Sequence, residues 1–224
     1  MAIETAFAFL DDLRHNNHTD WFRAEKKRYE EYKKEYLSLI ESVLIPLQSF
    51  DETLLGLEPK NCTFRINRDI RFSKDKSPYK TNMGMWFTQN KQRKNSPGYY
   101  VHYDKEQCFL AGGIWCPEPA DVTKIRREIA FFHDELEAIT AAPEFKNTFV
   151  DFTREANLVL KKAPKGFEPD HPAIEWLKLK SFTVSMPWTV AQFTAPDAGQ
   201  QIAEKLRIIK PLNDFLSRAL DTEM

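Results

Sequence analysis

Between Cys62 and Asn82 the sequence sets Arg65, Arg68, Arg71, Lys74, Lys76 and Lys80 in one short span, answered only by Asp69 and Asp75. Phe64, Phe72 and Tyr79 are threaded through the same span. A guanidinium presents a planar fork of donors that grips phosphate or carboxylate at two points. Arg65, Arg68 and Arg71 recur every third residue, so three forks on the end of one element and the loop after it can converge on one anion. Lys80 and His102 complete the candidate ligand-binding set, Lys80 as a point charge and His102 from a strand expected to pair beside the loop. Asp69, Lys76 and Tyr79 are the candidate catalytic residues. Asp69 suits a base or the group that orients an arginine, Lys76 adds positive charge, and Tyr79 suits a hydrogen-bond donor or an acid. The same charges also admit a purely structural use, in which Asp69 and Asp75 pair with the cations and brace a long loop as an ion network.

Other chemistries find less support. His15 and His18 lie three apart, but the H-E-x-x-H pattern is missing and zinc needs more ligands, so capping or surface roles are expected and no metal site. With only seven glycines and neither a G-x-x-x-x-G-K-[ST] nor a G-x-G-x-x-G string, no nucleotide cofactor cradle is expected, and no cofactor of any kind. There is no G-x-S-x-G elbow for a nucleophilic serine.

The elements that must position the charged span are read from apolar spacing. Residues 3 to 14 carry Ala6, Phe9, Leu10 and Leu13 at helical intervals. His15-Asn16-Asn17 breaks that helix, and Thr19 is the expected cap of a long second one. Its stripe is Phe22, Tyr29, Tyr32, Tyr36, Ile40, Val43 and Leu47, read as core, with a kink or stop at Pro46. Cys62 to Ile66 alternates as a strand, and residues 67 to 80 read as an ordered loop. Further strands are expected at Met83–Thr88, Gly98–Asp104, Gln107–Trp115 and Ser181–Met186, with Gly112-Gly113 marking a bulge or a close backbone approach. Ile125, Ile129, Phe132, Leu136 and Ile139 predict one helix, and Pro143 starts another. Asp197 and Gln200 have capping-box spacing for a last helix with Ile202, Leu206, Ile209, Leu212 and Leu216 on its apolar face and a bend at Pro211. Strands clustered between helical runs imply an α+β fold: one domain over residues 1–224, with a mainly antiparallel sheet of about four to six strands and helices from both chain ends.

Composition bounds the partners. A chain of 224 residues with 42% hydrophobic and 29% charged residues reads as an ordinary soluble globular protein. Its formal net charge of -1 gives no global field toward nucleic acid or an acidic membrane, so a polyanion must be met by a patch. Three cysteines without C-x-x-C spacing point to reduced thiols and a cytoplasmic setting. The N-terminus is acidic where a secretory signal is basic, and no apolar run approaches the ~20 residues that span a bilayer, so no membrane partner is expected.

The string Arg65-x-x-Arg68-Asp69-x-Arg71-Phe72-x-x-Asp75-Lys76-x-x-Tyr79 resembles the signature of a widespread, mainly bacterial family of conserved hypothetical proteins, catalogued as a domain of unknown function. The flanks are similar too: F-L-x-x-L-x-x-N-N-x-x-x-W-F from Phe9 to Phe22, Pro78-Tyr79-Lys80-Thr81, and a tyrosine pair followed by Gly112-Gly113. The resemblance covers most of the chain. It implies no activity, but it suggests that the charged string is the family's identifying feature. Three uses of that string are then open. It can bind or act on a small anionic, phosphorylated molecule. It can be the internal brace of a structural or interaction protein. It can read a nucleic-acid backbone together with Lys91, Arg93 and Lys94.

Overall fold

In the computed structural model, which describes residues 3–88 and 96–221, the N-terminal apolar spacing folds into α1, Glu4–His15, and buries Ala6, Phe9, Leu10 and Leu13. His18, not Thr19, caps the next helix: its Nδ1 accepts a hydrogen bond from the Trp21 amide at 3.3 Å. His18 holds the extended backbone that a cap requires, at φ −144° and ψ 158°, and Thr19 is already helical. The long helix expected from Thr19 is two helices, α2 (Thr19–Ala24) and α3 (Lys26–Gln48), broken at Glu25. On α3 the stripe through Tyr32, Tyr36, Ile40, Val43 and Leu47 is buried. Pro46 lies inside α3, which ends at Gln48.

The strand expected at Cys62–Ile66 does not form a ladder. Pro59 starts a 3-10 turn that runs through Cys62, and the Thr63 hydroxyl donates back to the Lys60 carbonyl at 2.9 Å. Beyond that turn the chain pairs only through single bridges, Thr63 with Met85 and Asn67 with Tyr79. Burial shows the same failure of alternation, because Cys62 and Ile66 are buried while Phe64 is 44% exposed.

The class is α+β. One antiparallel sheet has four strands among the described residues, β1 (Met83–Phe87), β2 (Gly98–Tyr103), β3 (Cys108–Ile114) and β4 (Phe182–Trp188), in the order β1-β2-β3-β4. Period-two alternation buries Met83, Met85 and Phe87 on β1 and Tyr99, Val101 and Tyr103 on β2. β4 continues through Pro187, where closure was expected. Its place at the end of the strand order explains this, since an edge strand tolerates a residue that cannot donate to the ladder. The polar loop between the first two strands falls mainly on residues 89–95, outside the described residues.

The helix expected through Ile125 and Ile139 is broken at Phe132 into α4 (Pro119–Phe131) and α5 (His133–Ala141). After α6 (Pro143–Phe149) and the short α7 (Ile174–Leu177), the expected capping box appears on a different helix. Thr189 and Gln192 form it on α8 (Val190–Thr194), while Asp197 accepts from the Gln201 side chain at 2.7 Å. Pro211 does more than bend the last helix: the chain leaves α9 (Ala198–Arg207) and restarts as α10 (Lys210–Asp221), where proline in the first turn lacks only a donor that would be unpaired anyway.

By backbone proximity the chain sorts into two units. The first comprises Met1–Phe87, Tyr100–Leu110 and Pro187–Glu204, with α1–α3, β1 and α8; Phe7 stacks on Tyr103 in its core, at 3.7 Å between centroids. The second comprises Thr88–Tyr99, Ala111–Met186 and Lys205–Met224, with α4–α7 and α10; its core includes Ile125, Ile129, Phe145, Phe182, Leu212 and Phe215. In that unit Gly113 sits at φ +101°, and a Cβ there would lie 2.1 Å from the Phe182 carbonyl oxygen, which is the close approach that the glycine pair signalled. Gly113→Ala is expected to cost about 3 kcal/mol or more, since backbone strain and a displaced strand combine. Gly166 also has positive φ but no atom within 4 Å of its would-be Cβ, so Gly166→Ala should cost only the backbone part, about 1–2 kcal/mol. Denaturant midpoints of the two variants measure the difference, and equal losses would refute the steric part.

Candidate functional site

The charged span forms a closed loop in the first unit. The Arg68 amide donates to the Pro78 carbonyl at 2.9 Å, and the Lys80 amide donates to the Ile66 carbonyl at 2.8 Å. From the turn after α1, Asn17 clamps the loop's exit: its Nδ2 donates to the Tyr79 carbonyl at 2.9 Å and its Oδ1 accepts from the Tyr79 amide at 3.1 Å. The Tyr79 ring is buried and stacks on Phe22, 4.0 Å between centroids at an interplanar angle of 16°. Tyr79 is thus an anchor.

Inside the loop the two aspartates are taken. Asp75 accepts from the Ser77 hydroxyl at 2.6 Å, from the Ser77 amide at 2.9 Å and from Arg68 Nη1. These bonds, Ser77's first and Arg68's after them, hold the Asp75 carboxyl down to about 2. Arg68 Nη1 also reaches the Ser77 carbonyl at 3.1 Å. Arg71 makes a two-point pair with Asp69 through Nε at 3.0 Å and Nη2 at 2.7 Å, which keeps Asp69 ionised below its ordinary range. Lys76 donates to the Ile70 carbonyl at 2.9 Å. Arg71, Lys76 and Tyr79 therefore serve the loop.

Beside the loop lies a cleft of about 420 Å³. Arg65, Arg68, Asp69, Lys80 and His102 line it; Arg71, Lys76 and Tyr79 do not. Sequence reasoning missed much of the remaining wall: Tyr32 and Tyr36 from α3, Phe64 from the segment before the loop, Gly84 from β1 and Tyr100 from β2. Tyr32 and Tyr36 are four apart, one helical turn, and were read as core because they continue the apolar stripe. Tyr100 shares a strand face with His102, two residues on, and that spacing was the available signal.

The charges in the cleft are unevenly answered. Among the described residues neither Arg65 nor Lys80 makes a side-chain hydrogen bond or an ion pair. The Lys80 ammonium lies 5.5 Å from the centroid of the Phe64 ring. Burial, and then the neighbouring Arg65 charge, push Lys80 below the ordinary lysine value. The rest of the wall is fixed by hydrogen bonds and close contact. Buried Tyr36 donates its hydroxyl to the Gly84 carbonyl, and burial raises that phenol. A Cβ on Gly84 would stand 2.6 Å from the Tyr100 hydroxyl, so glycine lets Tyr100 lie against the strand. The Tyr100 oxygen is 2.9 Å from His102 Nδ1, and the imidazole stacks on Phe109 at 4.8 Å and 17°. Burial pushes Tyr100 up to about 12 and pushes His102 down, with Asp104 pulling His102 the other way. At neutral pH the cleft thus presents cations, the Asp69 carboxylate, a neutral imidazole and protonated phenols. Among the described residues no group of three or more His, Cys, Asp or Glu side chains is placed to hold a metal ion.

A family model described as "Conserved hypothetical protein (DUF2461)" matches residues 5–215, and the chain belongs to that family. No curated protein and no solved structure matches the chain. Among the described residues no helix is long and apolar enough to cross a membrane.

The loop's internal pairing can be read by titration. Asp75 is depressed below the ordinary aspartate value of ~3.9, so its contribution to holding the loop is full above that value and is lost as pH falls through about 2. Carboxyl NMR should place its midpoint near 2. Ser77→Ala and Arg68→Ala should each move it up toward the ordinary range. An ordinary midpoint in the unmodified protein would refute the pairing.

Proposed function

We propose that this family member binds a small anionic ligand, a phosphorylated one, in the cleft beside the charged loop, with Arg65 and Lys80 as its principal grips. One observation carries the reading: half-buried Lys80 and exposed Arg65 line one cleft and neither makes an ion pair among the described residues, although the Asp69 carboxylate on the same wall feels the Arg65 charge. A guest anion supplies the missing counter-charge, and a phosphoryl group suits both a forked guanidinium and a compact ammonium. Arg68 is engaged through Nη1, so the rest of its fork is a secondary grip. Asp69, ionised and turned to Arg71, is the candidate for catalysis at the cleft wall, while Lys76 and Tyr79 hold the loop in shape. On this reading the charged string marks the family because it builds the loop. The cysteines, all in the thiol form, fit a cytoplasmic setting.

Bracing accounts for two pairs, Arg71 with Asp69 and Arg68 with Asp75, and leaves Arg65 and Lys80 unexplained. Nucleic-acid binding is favoured by one feature: Phe72 is 96% exposed with the Arg71 guanidinium 5.8 Å from its ring centroid, an arrangement suited to base stacking beside a phosphate. The Lys91, Arg93 and Lys94 of that reading lie outside the described residues.

Calorimetric titration with inorganic pyrophosphate tests the first reading. Arg65→Ala and Lys80→Ala should each weaken binding by about tenfold or more, as expected for losing a charge-assisted contact. Arg71→Ala should stay within about twofold, since an exposed, paired arginine contributes little. Unchanged affinity in Arg65→Ala would overturn the reading. A loss confined to Arg71→Ala and Phe72→Ala, with steep salt dependence on a single-stranded oligonucleotide, would favour the nucleic-acid reading.

A further inference from the structure

The cleft is larger than its charges require. A lone phosphate would leave most of 420 Å³ to water, and that volume lies in the range of pockets that hold a small organic molecule. Its other wall is built of rings. Phe64 stays 44% exposed and meets Tyr100 edge to face at 6.2 Å, which presents aromatic surface to the cleft. Gly84 keeps that surface in place, since a Cβ there would press on Phe64 at 3.2 Å and on the Tyr100 hydroxyl at 2.6 Å. His102 is held on two sides, by Tyr100 at Nδ1 and by Phe109 on its face, while its Nε2 has no hydrogen-bond partner among the described residues.

We propose that the ligand carries a flat, unsaturated ring beside its phosphate, and that this ring lies against Phe64 and Tyr100 with a hydrogen-bond acceptor toward His102 Nε2. The inference rests on the anion reading and adds to it the chemical class of the ligand: a phosphorylated heteroaromatic compound of about mononucleotide size. Assigning the Tyr100 hydroxyl as the donor to Nδ1 places the proton of the neutral imidazole on Nε2, and on that tautomer His102 offers one directed donor and no net charge. A donor of that kind distinguishes ring substituents, which a further cation in the cleft would not do. Sugar hydroxyls, by contrast, find rings on this wall where they would need polar partners.

The test is calorimetry on the full chain with four probes: inorganic phosphate, ribose 5-phosphate, phenyl phosphate and adenosine 5′-monophosphate. Both ring-bearing probes should bind about tenfold or more tightly than ribose 5-phosphate, the scale that stacking of one base provides. Phe64→Leu, a change at a half-exposed position, should abolish that preference, read within the variant as the affinity ratio of the ring-bearing probes to ribose 5-phosphate, so that any effect of the lost ring on Lys80 cancels. His102→Phe keeps the stack on Phe109 but removes the donor, so it should weaken adenosine monophosphate and spare phenyl phosphate. If ribose 5-phosphate binds as well as the ring-bearing probes, the ring inference is wrong and the anion reading stands. If no phosphate binds at all, both fall.

Discussion

Two like charges, half-buried Lys80 and exposed Arg65, line one cleft, and among the described residues neither makes an ion pair. Burial first, and then the neighbouring Arg65 charge, lower Lys80. A few residues away the chain pairs its charges, where Asp69 meets Arg71 and Asp75 meets Arg68. On the proposed reading, cations without ion pairs in a motif whose other charges are paired mark a site kept for a guest anion. The surrounding structure must then hold the cations in place without neutralising them.

That task explains the loop's construction. Asn17 bonds both backbone groups of Tyr79, the Tyr79 ring stacks on Phe22, and Ser77 and Arg68 fold the loop onto Asp75. Of these groups only Arg68 also lines the cleft, and each fixes the backbone from which Arg65 and Lys80 project. The motif therefore divides by role. Arg65, Arg68, Asp69 and Lys80 face the cleft, and Arg71, Asp75, Lys76 and Tyr79 build the frame. Residues three apart share a face only on a helix. On an irregular loop that spacing sets no common direction, so three arginines at equal intervals do not converge here.

What the sequence made legible follows the same physics. The strands at Met83, Gly98 and Phe182 were visible through alternation of their apolar residues, and the one at Cys108, buried continuously from Leu110 to Ile114, through its apolar run after a short turn. The apolar face of the C-terminal helices was visible through Ile202, Leu206, Ile209, Leu212 and Leu216, all buried. Breaks at Glu25 and Phe132 were not visible, because neither residue is a breaker by type and the apolar period runs on through both. Cys62–Ile66 misled for the opposite reason: its alternation is real in composition, but Pro59 commits the start to a 3-10 turn and Phe64 faces outward. At the site, charged residues announced themselves by type. Tyr32 and Tyr36 did not, since a buried tyrosine on a helical stripe looks like core whether or not one edge of it borders a cleft.

Those tyrosines decide what kind of cleft this is. Tyr36 spends its hydroxyl on the Gly84 carbonyl, and Gly84 in turn leaves room for Tyr100 to reach His102. The polar atoms of the wall are thus largely satisfied among themselves, and what they show to the cleft is ring surface. An anion held by Arg65 and Lys80 alone would be shared with water on its open side. Rings fixed in advance by hydrogen bonds behind them exclude that water without needing to be ordered on binding, which lowers the entropic cost of holding a ligand. On the proposed reading, the unpaired cations supply attraction, and the braced rings behind them give it a shape to act on.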